Sequence, residues 1–379
     1  MSNSSASNSS ASNSKTLKLL FLSTPVGPLG SGLGGGVELT LLNWVNVLQK
    51  RGHQITVIAP AGSVLQSDSE DSPKTVSLIN VSGELQIPAQ TQERDIPITL
   101  SPDPVLGNMW KYARQVQSQY DLILNFAYDW LPFYLTPFFT TKVAHFVSMG
   151  SLSTVMDQAV QQLADSSGTI GLYTRTQAET FGLTPEDCVC LSSGIDLSRY
   201  EFCAHPQNAL AWLGRIAPEK ALEDAVAVAD QTGIPLKIMG KIQDEPYWQN
   251  ILQTYPKAPI EYLGFLTTDG MQAHLRQCQA LLMTPRWVEA FGNVAIEALA
   301  CGVPVIAYYR GGPTEIIREG ETGWLVEPDS VAGLIAAINK LDQIDRSRCR
   351  HQAETEFSLD VWGDRVETWL LSLVNHRKS

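Results

Sequence analysis

The sequence predicts an α/β protein made of two domains, each with a doubly wound, mostly parallel sheet. Short apolar runs of strand length alternate with segments of helical periodicity through both halves of the chain. A length of 379 residues is sufficient for two or three domains of ordinary size. Sheets of this kind bind ligands at the carboxyl ends of their strands, so we expect the domains to face each other across a cleft.

Composition and charge exclude several classes of protein. The net charge of −12 argues against nucleic acid and anionic membranes as main partners, and no apolar window is long enough to span a bilayer. Residues 1–15 repeat Ser, Asn and Ala without a basic or apolar region, which is typical of a disordered low-complexity tail rather than a signal peptide. Of the six cysteines, only Cys188 and Cys190 are close together, and no His or Cys lies near them. We therefore predict no metal site and a cytoplasmic protein with buried thiols.

A glycine-rich loop follows the first predicted strand, which runs from Leu17 to Ser23. The loop contains Gly30, Gly32, Gly35 and Gly36, and a helix to about Gln49 comes next. Its glycines formally match the dinucleotide fingerprint, but the loop is too long and the second strand ends in Ala-Pro where a ribose-binding acidic residue is expected. Backbone N–H groups of Gly35 and Gly36 that approach a phosphate or an acceptor are the better interpretation, with a flexible linker as the alternative.

Two features of the middle of the chain leave alternatives open. The segment from Phe126 to Phe139 is rich in aromatic residues, which either fill the core or stack on a planar or sugar acceptor. His145 lies on a buried strand, where a single histidine is a core residue or a functional one. The polar, proline-rich segment 63–106 predicts one or two short strands, and 108–119 predicts a helix.

Arg215 and Lys220 flank a turn between a strand and a helix in the second half. Two cations beside a helix N-terminus can hold a diphosphate and stabilise the charge left when a sugar bond breaks, which is work that a metal ion does elsewhere. Two solvated surface cations are the structural alternative.

Two carboxylates flank the next strand-to-helix turn. Glu289 follows the strand 279–284 at its carboxyl end, and Glu297 lies about two turns into the helix that Gly302 ends. Glu297 can project toward the cleft and accept hydrogen bonds from a vicinal diol such as a ribose. Each carboxylate alone could be a macrodipole partner or a surface residue.

Together these segments resemble a known family. The run Glu289-Ala-Phe-Gly-Asn-Val-Ala-Ile-Glu297 resembles the Glu-x7-Glu signature of the retaining, nucleotide-sugar-dependent glycosyltransferases of the family 4 type, which have the GT-B fold. Gly-Arg-x4-Lys at 214–220 and Gly-Gly-x-Glu at 35–38 are similar to motifs of the same family. The resemblance covers nearly the whole chain after the tail and is weakest over 63–106.

The resemblance implies a division of the chain and a role for each motif. It implies an acceptor-binding domain over 16–205, a nucleotide-sugar domain over 206–357 and a helix over 358–379 that returns to the first domain. It implies that the diphosphate contacts Arg215 and Lys220 and that the ribose contacts Glu297. The hexose would contact Glu289 and His145, and the base would contact the backbone near Leu266. Phe291, Gly292 and Asn293 would offer backbone contacts at the helix start. The family reaction retains the anomeric configuration and uses no metal or cofactor. The family has Asn where Ser193 stands, which leaves the role of that side chain in doubt.

The predicted donor is UDP-glucose, and the acceptor is the less certain substrate. The segment from Ser23 to Asn43 is similar to that of cyanobacterial enzymes that glucosylate tetrahydrobiopterin, which implies a pterin stacked near Phe126–Phe139. A sugar or lipid acceptor is an alternative, because one scaffold hosts many acceptors. A non-catalytic sugar-nucleotide-binding protein is the rival class, and the presence of all four charged site residues argues against it.

Overall fold

The computed structural model describes residues 15–65, 75–99, 101–164 and 168–375. Apart from Lys15, the predicted tail over 1–15 lies outside the described residues. Every strand pairing within the two sheets of the described part is parallel.

The first sheet has seven strands in the part of the chain that the structure describes. They are β1 (Lys18–Leu22), β2 (Gln54–Pro60), β3 (Val76–Val81), β4 (Leu122–Asn125), β5 (Val143–Phe146), β6 (Ile170–Leu172) and β7 (Val189–Cys190). Their order is β3-β2-β1-β4-β5-β6-β7, so the chain reverses direction across the sheet between β1 and β4. That switch point opens a crevice at the carboxyl ends of the strands.

Helices cover both faces of the first sheet. They are α1 (Gly36–Lys50), α2 (Val105–Val116), α3 (Trp130–Leu135), α4 (Thr154–Ala164) and α5 (Arg175–Thr180). The apolar residues of α1 recur at helical spacing, and Trp44 on this stripe is fully buried against Phe21 and Phe126, with ring centroids 6.2 and 5.7 Å away. Helix α2 begins three residues before the predicted start because extended Pro104 precedes its first turn, and a 3₁₀ turn follows its last residue.

The second sheet has six strands among the described residues, in the order β10-β9-β8-β11-β12-β13. The strands are β8 (Leu210–Leu213), β9 (Leu236–Met239), β10 (Ile260–Gly264), β11 (Ala280–Met283), β12 (Val305–Tyr308) and β13 (Gly323–Val326). The helices around them are α6 (Leu222–Thr232), α7 (Glu245–Thr254), α8 (Thr268–Leu275), α9 (Asn293–Ala300), α10 (Pro313–Ile316), α11 (Val331–Ile338) and α12 (Arg346–Glu356). The central strands β8, β11 and β12 are buried along their whole length, which explains why their sequences are almost continuously apolar.

The last helix, α13 (Leu359–Asn375), returns to the first domain. Its Trp362 and Trp369 pack edge-on against Trp44 of α1, with ring centroids 5.7 and 6.1 Å apart. Glu367 of α13 accepts a charge-assisted hydrogen bond of 2.6 Å from Arg51, and its other oxygen lies 3.0 Å from Nε2 of His53. The predicted fold of two doubly wound domains with a returning C-terminal helix is confirmed. No helix in the described residues is long and apolar enough to cross a membrane.

Candidate active site between the two domains

Two helix N-termini face each other across the cleft. Helix α1 begins after Gly35 and helix α9 after Gly292, and both glycines have positive φ values, of 59° and 94°. A Cβ atom at Gly36 would lie 3.4 Å from Nδ2 of Asn293, so the first turns of the two helices are neighbours. The first N–H groups of a helix lack intrahelical partners and favour anions. The sequence-predicted residues Gly35, Gly36, Phe291, Gly292 and Asn293 are thus brought to one place.

Arg215 and Lys220 lie at the carboxyl edge of the second sheet. Arg215 follows β8 and donates to Glu219 at 2.8 Å and to Gln243, and Lys220 ends a short 3₁₀ turn and pairs with Glu289. Both cations approach the ring of Trp287, with Nζ of Lys220 at 4.7 Å and Cζ of Arg215 at 5.8 Å from its centroid. The sequence reasoning missed Trp287, and its position two residues before Glu289 was the available signal.

Glu289 is the acidic partner at this edge, with only 16 % of its side chain exposed. Burial alone would raise the pKa of Glu289, but the charge of Lys220 and hydrogen bonds from Lys220 and Trp287 hold it below its ordinary value. The bond from Nε1 of Trp287 to Oε2 of Glu289 measures 3.0 Å. Close backbone packing fixes the loop, because Gly312 donates to the carbonyl of Glu289 at 2.7 Å and a Cβ at Gly311 would lie 2.5 Å from that carbonyl oxygen.

Glu297 is buried on α9, with 9 % of the residue exposed. Its Oε1 accepts a hydrogen bond of 3.1 Å from the hydroxyl of Tyr200. Oε2 has no hydrogen-bond partner among the described residues. Burial raises the pKa of Glu297 to about 7, and the bond from Tyr200 opposes this only in part. The carboxyl group therefore lacks hydrogen-bond donors that a bound diol would supply.

A cavity of about 250 Å³ lies between the domains next to Glu289. The first domain lines it with Ser148, Met149, Gly150, Ser151, Leu152 and Thr180, and the second with Trp287, Val288, Glu289 and Ala290. The hydroxyl of Ser148 is buried and has no hydrogen-bond partner in the part of the chain that the structure describes, which the sequence did not reveal. Thr174 joins the domains beside the cavity by donating to the carbonyl of Ala290 at 2.7 Å.

His145 lies inside the first domain and does not line this cavity. Its side chain is fully buried, with Nδ1 3.2 Å from Asn125, Nε2 2.8 Å from Thr136, and its ring stacked on Phe133 at 4.1 Å. Burial lowers the pKa of His145 to about 3, so the imidazole is neutral at physiological pH. Its role toward the donor sugar stays a prediction.

The aromatic residues between Phe126 and Phe139 include both buried core residues and exposed ones. Phe126 and Phe133 are core residues, 1 % and 3 % exposed, whereas Tyr134 and Phe138 are more than half exposed. Stacking of an acceptor on this segment stays a prediction. Leu266 follows β10 at the same sheet edge as the cations, and Ser193 is buried.

The architecture defines the class of protein. Two doubly wound domains, a cleft between their carboxyl edges and a returning C-terminal helix form the GT-B fold. A sucrose-phosphate synthase from Thermosynechococcus elongatus superposes with a TM-score of 0.77 at 16 % identity, over 95 % of this chain and 100 % of that one. Anabaena HepE in complex with UDP and glucose has a TM-score of 0.74 at 18 % identity, over 94 % of this chain and 100 % of that one.

Sequence comparison finds similarity to glycosyltransferases over part or most of the chain. Residues 202–356 match the family model of glycosyl transferases group 1. A D-inositol 3-phosphate glycosyltransferase from Rhodococcus erythropolis is 26 % identical over 96 % of this chain and 93 % of its own length. Glycogen synthase of Mycobacterium tuberculosis is 30 % identical over 43 % of this chain, and an exopolysaccharide phosphotransferase of Streptomyces coelicolor is 32 % identical over the same share. The chain spans 42 % and 18 % of the lengths of these two relatives. Over residues 202–356 the chain is therefore similar to glycosyl transferases group 1.

Within the described residues, no group of three or more His, Cys, Asp and Glu side chains is arranged to hold a metal ion. Arg215, Lys220 and the N-terminus of α9 supply positive charge at the site.

Proposed function

We propose that the chain is a retaining glycosyltransferase that moves glucose from UDP-glucose to an acceptor hydroxyl. One observation carries the proposal: Arg215, Lys220, Glu289 and the N-termini of α1 and α9 meet beside a cavity between the domains. Anabaena HepE, which shares the fold, was crystallised with UDP and with UDP-glucose, and this favours the same donor here.

The two cations and the N-terminus of α9 would hold the diphosphate. Glu219 holds Arg215 in position, and both Arg215 and Lys220 lie over the face of Trp287. Groups aligned in advance stabilise charge that develops in the transition state without a reorganisation cost. They would stabilise the negative charge that collects on UDP as the bond to the sugar breaks.

The two glutamates would bind different parts of the donor. Glu297, whose Oε2 lacks a partner among the described residues, would accept hydrogen bonds from the ribose diol. Glu289, which lines the cavity, would accept hydrogen bonds from hydroxyls of the hexose. Retaining glycosidases place two carboxylates around one sugar bond, and the proposed separation of roles excludes that mechanism here.

The proposed reaction needs no protein base at the acceptor. The bond between the anomeric carbon and the diphosphate breaks, the acceptor oxygen attacks from the same face, and its proton passes to a phosphate oxygen of the departing UDP. The imidazole of His145 is buried away from the cavity, so it is not the proton acceptor in this scheme.

We propose a pterin such as tetrahydrobiopterin as the acceptor to test first. Exposed Tyr134 and Phe138 offer ring surfaces on the segment that the sequence predicts for stacking. Sugar and lipid acceptors belong in the same panel.

Mass spectrometry of acceptor mixtures incubated with the full-length chain and UDP-glucose tests the function. We expect one acceptor to gain a single hexose unit and proton NMR to show an α-linkage. A product of inverted configuration would contradict the mechanism. Tight UDP-glucose binding without turnover on any acceptor would favour the rival, a sugar-nucleotide-binding protein. Absence of hexose on every pterin would remove the pterin proposal alone.

A further inference from the structure

The backbone amides of the glycine-rich loop are already occupied by a carboxylate of the chain itself. Oε1 of Glu38 accepts hydrogen bonds from the amide nitrogens of Gly30 and of Gly32, the latter at 3.4 Å. Oε2 accepts from the amide nitrogen of Gly34 at 3.3 Å. We call these three amides the loop nest. Such concave groups of N–H donors are anion-binding sites in proteins.

Glu38 is a buried anion in this position. The residue is 7 % exposed and lies in the first turn of α1, where the helix dipole also stabilises a negative charge. None of the ion pairs among the described residues includes Glu38, so the loop nest and the helix N-terminus are what compensate its charge. A second anion at the loop nest would therefore be repelled by the Glu38 carboxylate.

We propose that Glu38 closes the loop nest against phosphate groups and thereby restricts the acceptor to uncharged hydroxyl compounds. The proposal rests on the glycosyl transfer proposed above and adds the chemical class of the acceptor. It assigns Glu38 as a positioning residue that sets specificity, since its carboxylate binds the loop rather than a reacting atom.

The acceptor side of the cavity agrees with an uncharged ligand. Its wall in the first domain consists of Ser148–Leu152 and Thr180, none of which is charged. Arg94 donates to the carbonyl of Ser151 in this wall at 3.5 Å. Its guanidinium also pairs with Asp157, which accepts a hydrogen bond of 2.9 Å from Ser151. The two cations proposed to bind the donor diphosphate, Arg215 and Lys220, belong to the second domain.

Calorimetric titration of the full-length, UDP-saturated protein with inorganic phosphate tests the closure directly. We expect the wild type to bind phosphate more weakly than about 1 mM, and Glu38→Gln to bind it about tenfold or more tightly, since like charges in contact oppose association. Glu38→Asp keeps the charge and should show no gain. Glu186→Gln removes one charge from an exposed position of the same domain and should also leave phosphate binding unchanged.

Phosphate binding to the wild type below about 1 mM in the presence of UDP would overturn the proposal. An equal gain in Glu38→Gln and Glu186→Gln would overturn it too, because the effect would then reflect net charge alone. Circular dichroism and UDP affinity show whether Glu38→Gln is folded. If this variant is not folded, the phosphate titrations of the wild type and of Glu38→Asp test the proposal instead. Failure to bind UDP would instead count against the glycosyltransferase function, and phosphate titration of the free protein would still report on the loop nest.

Discussion

Lys220 and Glu289 form an ion pair across two loops at the carboxyl edge of the second sheet, and the side chain of Trp287 contacts both partners. The two charged side chains are 19 % and 16 % exposed, so the pair is largely shielded from water. A diphosphate that enters the site offers Lys220 more negative charge than one carboxylate does. Donor binding would then free Glu289 to accept hydrogen bonds from the sugar, which links recognition of the two halves of the donor.

Removal of either cation should lower turnover far more than it lowers stability. We expect Arg215→Ala or Lys220→Ala to reduce kcat by roughly two to three orders of magnitude, because charge on the leaving diphosphate loses its stabilisation. UDP release from UDP-glucose at saturating acceptor measures the effect.

The matched control for the cations is Lys257→Ala, which removes an exposed charge outside the site. This variant should keep wild-type turnover. Near-normal kcat in Arg215→Ala or Lys220→Ala would show that the cation in question does not stabilise the leaving group.

Trp287 should matter through the position of Lys220 and Glu289. Trp287→Phe keeps an aromatic face but loses the 3.0 Å bond to Glu289, and we expect kcat/KM to fall about tenfold, the equivalent of a lost hydrogen bond to a charged group. Trp287→Ala loses the cation–π contact as well and should fall further. Equal kcat/KM values in the two variants would show that the aromatic face of Trp287 does not contribute to the site. Steady-state assays over a range of donor concentrations measure kcat/KM for each variant.

The raised pKa of Glu297 predicts a stability that depends on pH. Because the pKa of about 7 lies above the ordinary value of 4.5, the folded protein binds this proton more tightly than the unfolded chain does. The contribution is fully present below about pH 4.5 and is lost as the pH rises through 7. Glu297→Gln does not titrate, so its stability relative to the wild type should rise by roughly 3 kcal/mol over this range. Urea unfolding at several pH values measures it, and a constant difference would contradict the assignment.

UDP binding should reverse that shift. Ribose hydroxyls that donate to Glu297 favour its charged form, so binding near pH 6.5 should release up to about one proton. Calorimetry in buffers of different ionisation enthalpy measures the release. Glu297→Gln should release fewer protons, and Tyr200→Phe, which removes the 3.1 Å bond, should shift the release to higher pH. Binding of UDP with no difference between wild type and Glu297→Gln would place the ribose elsewhere.

The loop that holds Glu289 should be sensitive to one added methyl group. A Cβ at Gly311 would lie 2.5 Å from the Glu289 carbonyl oxygen, and its φ of 69° disfavours a side chain as well. We expect Gly311→Ala to destabilise the protein by about 2 kcal/mol or more and to abolish donor binding. Gly233→Ala is the control, because Gly233 has φ 71° but open space around its Cβ. It should cost about 1 kcal/mol and keep donor binding. Equal effects would show that backbone strain alone is responsible.

Local sequence patterns predicted the fold well because both sheets have buried central strands. The apolar runs of β1, β8 and β11 are continuous, and the helices between them carry apolar stripes, so strand and helix alternate without ambiguity. The rule that parallel strands present their carboxyl ends at a common edge predicted that Arg215, Lys220 and Glu289 lie near one another. The roles of these residues and of Glu297 came from the family resemblance and stay predictions.

Other parts of the site depend on contacts between distant segments. The cavity wall around Ser148 and the hydrogen bond from Thr174 to Ala290 arise from the way the two domains meet, which no local pattern encodes. Glu38 was recognised only as the last residue of the Gly-Gly-x-Glu motif, and the folded loop brings its carboxylate to Gly30 and Gly34. For His145, the sequence predicted a buried strand, but the contacts of its ring with Asn125, Thr136 and Phe133 depend on neighbouring elements.

The most direct test of a nucleotide-sugar-dependent transfer is the stoichiometry of donor turnover. Full-length protein is incubated with UDP-glucose and the acceptor panel, and released UDP and hexosylated acceptor are quantified in the same samples. We predict equal amounts of the two products, and both should form roughly two to three orders of magnitude more slowly in Lys220→Ala. Intact UDP-glucose after prolonged incubation of folded protein with every acceptor, or UDP release equal in wild type and Lys220→Ala, would contradict it.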